Sequence, residues 1–303
     1  MGAIVRTAFS AILVFCACIL VAATCSAASA SPSPRSSDSG YTYHRHYVNG
    51  QVTRYSYTEL ITGGTQVTAQ ARLRSFVRHG IGGERVKWVS LVANGQDLSA
   101  QARAFPPYDM SLDPKSPGGL IQPDTSTAGQ LSNPVLDLFT FYGGLSPFVG
   151  IGNLHQPGQS FVEPTLLHGV FSNATTPVGQ DLVQVTTTLT SLTDGQATFT
   201  GSYQPPAAGG LTLSQPWMSS PVCGSTPNNF ELVQQEGSQY QALWGCESFT
   251  TTTVVDRGSG RIVSAQMNDP LTVDLTVCQD EALTECSPIQ TVSLLRTVQV
   301  TRN

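Results

Sequence analysis

Few side chains in this sequence could do metal chemistry. Five histidines occur in 303 residues, and only His44 and His46 stand close together. In an extended strand, His44-x-His46 puts both imidazoles on one side, which a metal could use. A third ligand would have to come from His79, His155, His168 or a distant carboxylate, and no spacing selects one. The plainer reading is a polar outward face opposite Tyr41, Tyr43 and Tyr47, so no metal is predicted. Hydrolysis would need a held nucleophile. No Gly-x-Ser-x-Gly elbow is present, and Gly144-Leu145-Ser146-Pro147 does not supply one. Ser and Asp are common, so a Ser–His–Asp set is neither located nor removed from consideration. Gly150-Ile151-Gly152 lacks a strand-to-helix context and Gly258-Ser259-Gly260 reads as a hairpin turn, so no cofactor is predicted.

Cysteine and arginine carry more information. Cys16, Cys18 and Cys25 fall in the N-terminal segment, which leaves Cys223, Cys246, Cys278 and Cys286. An even number in an exported chain suggests disulfides, and three pairings are open. Cys278 and Cys286 bracket a short polar loop, which favours Cys278–Cys286 with Cys223–Cys246. Charged residues make up only 12% of the chain, a composition that argues against a nucleic-acid binder. They are unevenly spread. Residues 41–103 hold eight cations (Arg45, Arg54, Arg72, Arg74, Arg78, Arg85, Lys87, Arg103) against Glu59, Glu84 and Asp97, a balance of +5. Residues 104–303 hold five cations against sixteen acids, a balance of −11. Arg72, Arg74, Arg78, Arg85 and Lys87 form a stripe that could meet an anionic surface; the competing reading is a solvated sheet face paired to nearby acids. Asn173-Ala174-Thr175 is a glycosylation sequon, relevant in a eukaryotic source.

The elements that must position these residues are mostly strands. Phe249 to Val255 is β-branched, Asp256 to Gly260 is a turn, and Arg261 to Met267 returns as a hairpin. Asn268-Asp269-Pro270 predicts a break. Leu271, Val273, Leu275 and Val277 then alternate with polar residues, as in a half-buried antiparallel strand. Upstream, strands are predicted over Tyr41 to Val48, Gln51 to Ile61, Gln66 to Val77, Glu84 to Ala93 and Leu98 to Phe105. Asn49-Gly50 and Asn94-Gly95 mark hairpin turns. Residues 106–133 read as a long loop.

Asn133-Pro134 reads as a helix start with Asn as N-cap, and Gly143-Gly144 as its end. The helix between, Val135 to Tyr142, is apolar nearly all round and must be buried. Further strands are predicted at Ser160 to Val162, Asp181 to Leu192, Gln196 to Tyr203, Phe230 to Val233, Tyr240 to Trp244 and Ile289 to Thr301, with a second long loop over 205–229. Arg296 is unusual in sharing a face with Val292, Leu294, Val298 and Val300; it marks either a cavity rim or the end of the buried zone.

Residues 1–30 read as a secretory signal, with Arg6, an apolar run from Ala8 to Ala23 and a small-x-small site at Ala28 to Ala30. Residues 31–40 are a polar linker and 41–303 one β-rich domain. No transmembrane span is predicted after the signal. The chain is expected to be exported, periplasmic or extracellular; Cys25 is a poor match to a lipid-attachment site. The fold predicted is mainly β: a large curled antiparallel sheet of about 10–12 strands, a half-barrel or barrel, with one short apolar helix and two long loops.

This order of elements over 41–303 resembles the lipoprotein-carrier half-barrels of the LolA/LppX-like group. The resemblance lies in element order, so no residue role transfers. It implies a concave face that holds acyl chains beneath a helical lid. The leading expectation is a non-enzymatic carrier for a lipid-like ligand or amphiphile, touched by Leu136, Leu138, Phe139, Phe141, Tyr142, Phe148 and Arg296. The alternatives are an interaction or structural module of the cell envelope and a hydrolase.

Overall fold

The computed structural model describes residues 40–303 apart from 117–119, 126, 147–149, 164–166, 174–175 and 207–210. The signal, most of the linker, Cys25, Phe148 and the Ala174-Thr175 end of the sequon lie outside the described residues. Fourteen strands form one antiparallel sheet. In chain order they are β1 (Val52–Ile61), β2 (Thr65–Arg78), β3 (Ile81–Ala93), β4 (Gln96–Asp97), β5 (Tyr108–Met110), β6 (Ser160–Val162), β7 (Leu167–Asn173), β8 (Thr176–Leu192), β9 (Gln196–Gln204), β10 (Phe230–Glu236), β11 (Gln239–Glu247), β12 (Phe249–Asp256), β13 (Ile262–Cys278) and β14 (Gln290–Arg302). Among the described residues two α-helices interrupt them, α1 (Ser99–Ala104) and α2 (Ser132–Gly143).

Eight strands run side by side as β8-β9-β12-β13-β14-β1-β2-β3. Their alternation sends Tyr55, Tyr57, Leu73, Trp88, Phe199 and Val300 inward. The sheet curls so that this apolar face closes around α2. All twelve residues of α2 are buried, and Leu138, Phe139, Phe141 and Tyr142 share one core with the inward strand residues. Each such side chain contributes roughly 1.5–3 kcal/mol on leaving water. The helix turns no face to solvent: even Asn133, Asp137 and Thr140, which line up at i, i+4 and i+7, are buried.

Long strands change neighbours along their length. One edge of β13 pairs with β12 as far as Asn268 and with β11 from Leu271 onward. Likewise β8 pairs with β10 over its first half and with β9 over its second. The hydrogen-bonded strands therefore close a ring through β13, β12, β9, β8, β10 and β11. At the split, buried Asn229 replaces a missing ladder. Its Nδ2 donates to the Leu182 and Glu247 carbonyls at 3.2 and 3.1 Å, and its Oδ1 accepts from the Glu247 amide at 2.7 Å. A second apolar cluster, Phe230, Leu232, Leu243, Leu271, Val273 and Leu275, lies beyond this point.

Four expectations are corrected. Tyr41 to Val48 forms no strand, because β14 and β2 already occupy both edges of β1. It lies instead against the β12–β13 turn, where the Tyr43 hydroxyl donates to the Gly260 carbonyl at 2.9 Å. Gly260 has φ +66 and no room for a Cβ, which would strike the His44 carbonyl. Leu98 to Phe105 is not a strand either. Three alanines with Gln101 and Arg103 favour a helical turn, and the Asp97 carboxylate accepts the Ser99 amide at its start.

The break at Asn268-Asp269-Pro270 is absent, for β13 runs straight through it. Pro270 lacks a donor at the point where the neighbour changes from β12 to β11, so no ladder bond is lost. Finally, Asn133 is not the cap of α2. A 3-10 turn over Gly129–Leu131 carries the chain into the helix, and Leu131 stands at the cap position with no side-chain bond.

The sulfur atoms of Cys223 and Cys246, and of Cys278 and Cys286, sit at bonding distance, as the loop argument favoured. Among the described residues no helix is long and apolar enough to cross a membrane.

Candidate functional site: the outer face of the first three strands

The register of β1, β2 and β3 lines up cations. Arg54 is paired with Arg72, and Arg72 with Lys87, in one row across three strands. In the next row Val52 is paired with Arg74, and Arg74 with Arg85. These positions alternate with buried Thr53, Tyr55, Leu73 and Val86, so all five cations stand on the outer face. Arg78, at the end of β2, joins them and stacks over Phe76.

One carboxylate meets this group. Asp109 on β5 accepts two bonds from Arg85, at 2.8 and 3.0 Å, and stands 3.7 Å from Arg78. Arg54, Arg72, Arg74 and Lys87 make no ion pair or side-chain hydrogen bond among the described residues. Like charges set directly opposite each other destabilise a sheet, so these rows cost the fold something.

The surroundings do not neutralise them. Glu59 and Glu84, two of the three acids in residues 41–103, face inward and are buried. Two rows of the outer face next to them are uncharged, and the outward Asp256 and Asp274 stand on other strands, β12 and β13. Thr188, Thr200, Thr252, Gln266, Gln299, Thr58 and Thr68 follow one another across seven strands. The next row reads Thr186, Ser202, Thr250, Asn268, Thr297, Leu60 and Gln66. At the Arg-bearing end, Val48, Val52 and Val77 are 60%, 44% and 43% exposed. A recess of about 250 Å³ opens there, lined by Asn49, Arg74, Phe76, Val77, Arg78 and Arg85, with Ser75 behind.

Two buried charge clusters lie on the inner side. In the first, Arg45 bonds Glu84 together with Tyr142, whose hydroxyl donates at 2.6 Å. The Ser75 hydroxyl, 3.3 Å from Glu84, is also 3.5 Å from the guanidinium of buried Arg261. That cluster holds two guanidiniums and one carboxylate. Burial, then the charge of Arg45, lowers the Arg261 pKa.

In the second cluster Arg296 bonds Glu59 and Asp137 and lies 3.6 Å from Asp269. Asn133 donates to Glu59 at 2.9 Å and Tyr57 to Asp137 at 2.6 Å. Three carboxylates share one cation. Burial first, and then Glu59, push the Asp137 carboxyl up to about 6 against the pull of Arg296.

The sequence-predicted site residues therefore separate. Leu136, Leu138, Phe139, Phe141 and Tyr142 are closed inside the sheet. Arg296 is neither a rim nor an end of the buried zone; it bonds across the interior to α2. Arg72, Arg74, Arg78, Arg85 and Lys87 do come together, and Arg54 joins them. His44 and His46 are exposed, and among the described residues no three His, Cys, Asp or Glu side chains are placed to hold a metal.

Asp109, Glu59, Asp137 and Asp269 were missed as partners. Parity could have found Glu59, which shares its strand face with Tyr55, Tyr57 and Ile61. No local signal pointed to Asp109. No family model matches the chain, and no curated protein or solved structure matches it.

Proposed function

We propose that this chain is an exported, non-enzymatic module that docks on an anionic lipid surface through the outer face of β1, β2 and β3. The observation that carries this reading is the pair of cationic rows, Arg54–Arg72–Lys87 and Arg74–Arg85, opposed among the described residues by the carboxylate of Asp109. The exposed Val48 and Val52 at the same end favour lipid over an acidic protein, because they can enter the headgroup layer while the guanidiniums meet phosphates. Each cation near such a surface contributes about 1 kcal/mol, enough together for reversible attachment. A carrier with an acyl chain beneath α2 draws less support, since every residue of that helix is already covered by protein.

Vesicle co-sedimentation tests the proposal. The chain should pellet with phosphatidylcholine vesicles containing phosphatidylglycerol and not with phosphatidylcholine alone, and 0.5 M salt should release it. Equal pelleting with both, or none with either, overturns it.

A further inference from the structure

The recess beside Asn49 differs from the rest of the cationic face. Arg74, Arg78 and Arg85 converge on it, and Asp109 offsets one of the three charges. Arg74 has no partner of its own among the described residues. Behind the recess, across the β2 backbone, Ser75 points inward to the cluster of Arg45, Arg261 and Glu84. Those three side chains alone hold two cations to one carboxylate in a setting where screening is weak, with Asp256 offsetting part of the Arg261 charge from the turn beyond. Both layers therefore favour an anion at the same spot. The net charge at the rim is about +2, which matches a phosphate monoester, of charge −1.5 to −2 near pH 7, better than a singly charged diester. Arg forks suit tetrahedral oxyanions because two N–H groups can meet two oxygens.

We propose that this recess is a binding site for one phosphate monoester, held by Arg74 and Arg78 with Arg85 turning part of its guanidinium from Asp109. The site rests on the docking reading for its membrane source, whereas its chemistry does not. The monoester could be a lipid headgroup or a free sugar or glycerol phosphate.

The test uses the full mature chain and three probes. These are vesicles with phosphatidic acid, vesicles with phosphatidylglycerol at matched surface charge, and glycerol 3-phosphate followed by titration calorimetry. We expect about tenfold tighter binding to phosphatidic acid than to phosphatidylglycerol, with glycerol 3-phosphate competing. Arg74→Gln should abolish the preference and leave most phosphatidylglycerol binding. Arg54→Gln, outside the recess, should weaken both lipids alike and keep the preference. Thermal melts of both variants check that they fold.

Equal affinity for the two lipids, or a preference that survives Arg74→Gln, overturns the monoester site and leaves the docking reading standing. Binding of glycerol 3-phosphate without vesicle binding keeps the site, assigns it a soluble ligand and overturns the docking reading. Binding of no probe overturns both.

Discussion

Arg296 and Asp269 stand directly opposite each other on β14 and β13, 3.6 Å apart, and both are buried. From there the Arg296 guanidinium reaches Glu59 on β1 and Asp137 on α2. One cation thus ties three strands to the central helix, midway between the two apolar clusters.

Removing that cation should be far more damaging than removing one of its acids. Arg296→Met leaves three buried carboxylates without their common partner and should cost at least 3–5 kcal/mol, about the loss seen when a buried pair is broken. Asp137→Asn keeps the shape, removes surplus negative charge and should cost about 1 kcal/mol or less. Urea unfolding of the two variants compares them. Similar losses would contradict the charge imbalance.

The same imbalance gives a pH dependence. Asp137 holds its proton up to about pH 6 when folded, against an ordinary value of 3.8. Between these values the folded chain carries a proton that the unfolded chain has released. Stability should therefore fall as pH rises from about 4 to about 6, and this contribution should be constant above that. Asp137→Asn should flatten the slope in that window. An unchanged slope would assign it to another carboxyl.

The cationic rows should trade stability for binding. Arg72 faces cations on both sides, so Arg72→Thr should raise stability by roughly 0.2–1 kcal/mol at low salt, and the gain should shrink as salt screens the repulsion. The same variant should bind anionic vesicles more weakly. A destabilised Arg72→Thr would mean that the arginine stem packs on its neighbours more than its charge repels them.

The helix gives a sharp comparison with the strands. Leu138 lies in α2 and Val273 in the second cluster, and both are fully enclosed. Leu138→Asp and Val273→Asp should each prevent folding or cost more than about 4 kcal/mol. If Leu138→Asp is well tolerated by thermal melt, α2 moves as a lid and the carrier reading regains ground.

Reduction should act on the far end of the molecule. Cys223–Cys246 closes a separation of 23 residues and Cys278–Cys286 one of 8. Loop entropy assigns them about 3.5 and about 2.5 kcal/mol. Non-reducing peptide maps should show these two pairs. Free thiols at all four positions would remove the argument for export from the cysteines.

Strand grammar was legible where alternation and turn residues agreed, as in Leu271, Val273 and Leu275 or at Asn94-Gly95. It misled where a neighbour outside the local sequence decided the outcome. Pro270 ends most strands, yet here it falls at a change of partner that no local signal encodes. Tyr41 to Val48 alternates like a strand and finds no free edge. The burial of the helix followed from its apolar run, Leu136, Leu138, Phe139, Phe141 and Tyr142, and the sheet curl that accommodates it followed from strand number. The cationic stripe was visible as composition. Its isolation was not, because that depends on Glu59 and Glu84 facing inward and on two uncharged rows assembled from distant strands.

The register of the long strands also separates charge along the molecule. Arg54, Arg72, Arg74 and Arg85 lie at the Val52 end of the sheet, whereas Asp274, Asp280, Glu281 and Glu285 lie past the Ile61 end, where β13 runs on between β14 and β11. The offset of about twelve residues corresponds to roughly 40 Å. Such a molecule is an electric dipole aligned with its own strands. In the field above a negatively charged layer it experiences a torque before it touches anything, and it arrives arginine end first. Orientation is then selected during approach, and low ionic strength should quicken productive encounters more than it tightens the final complex.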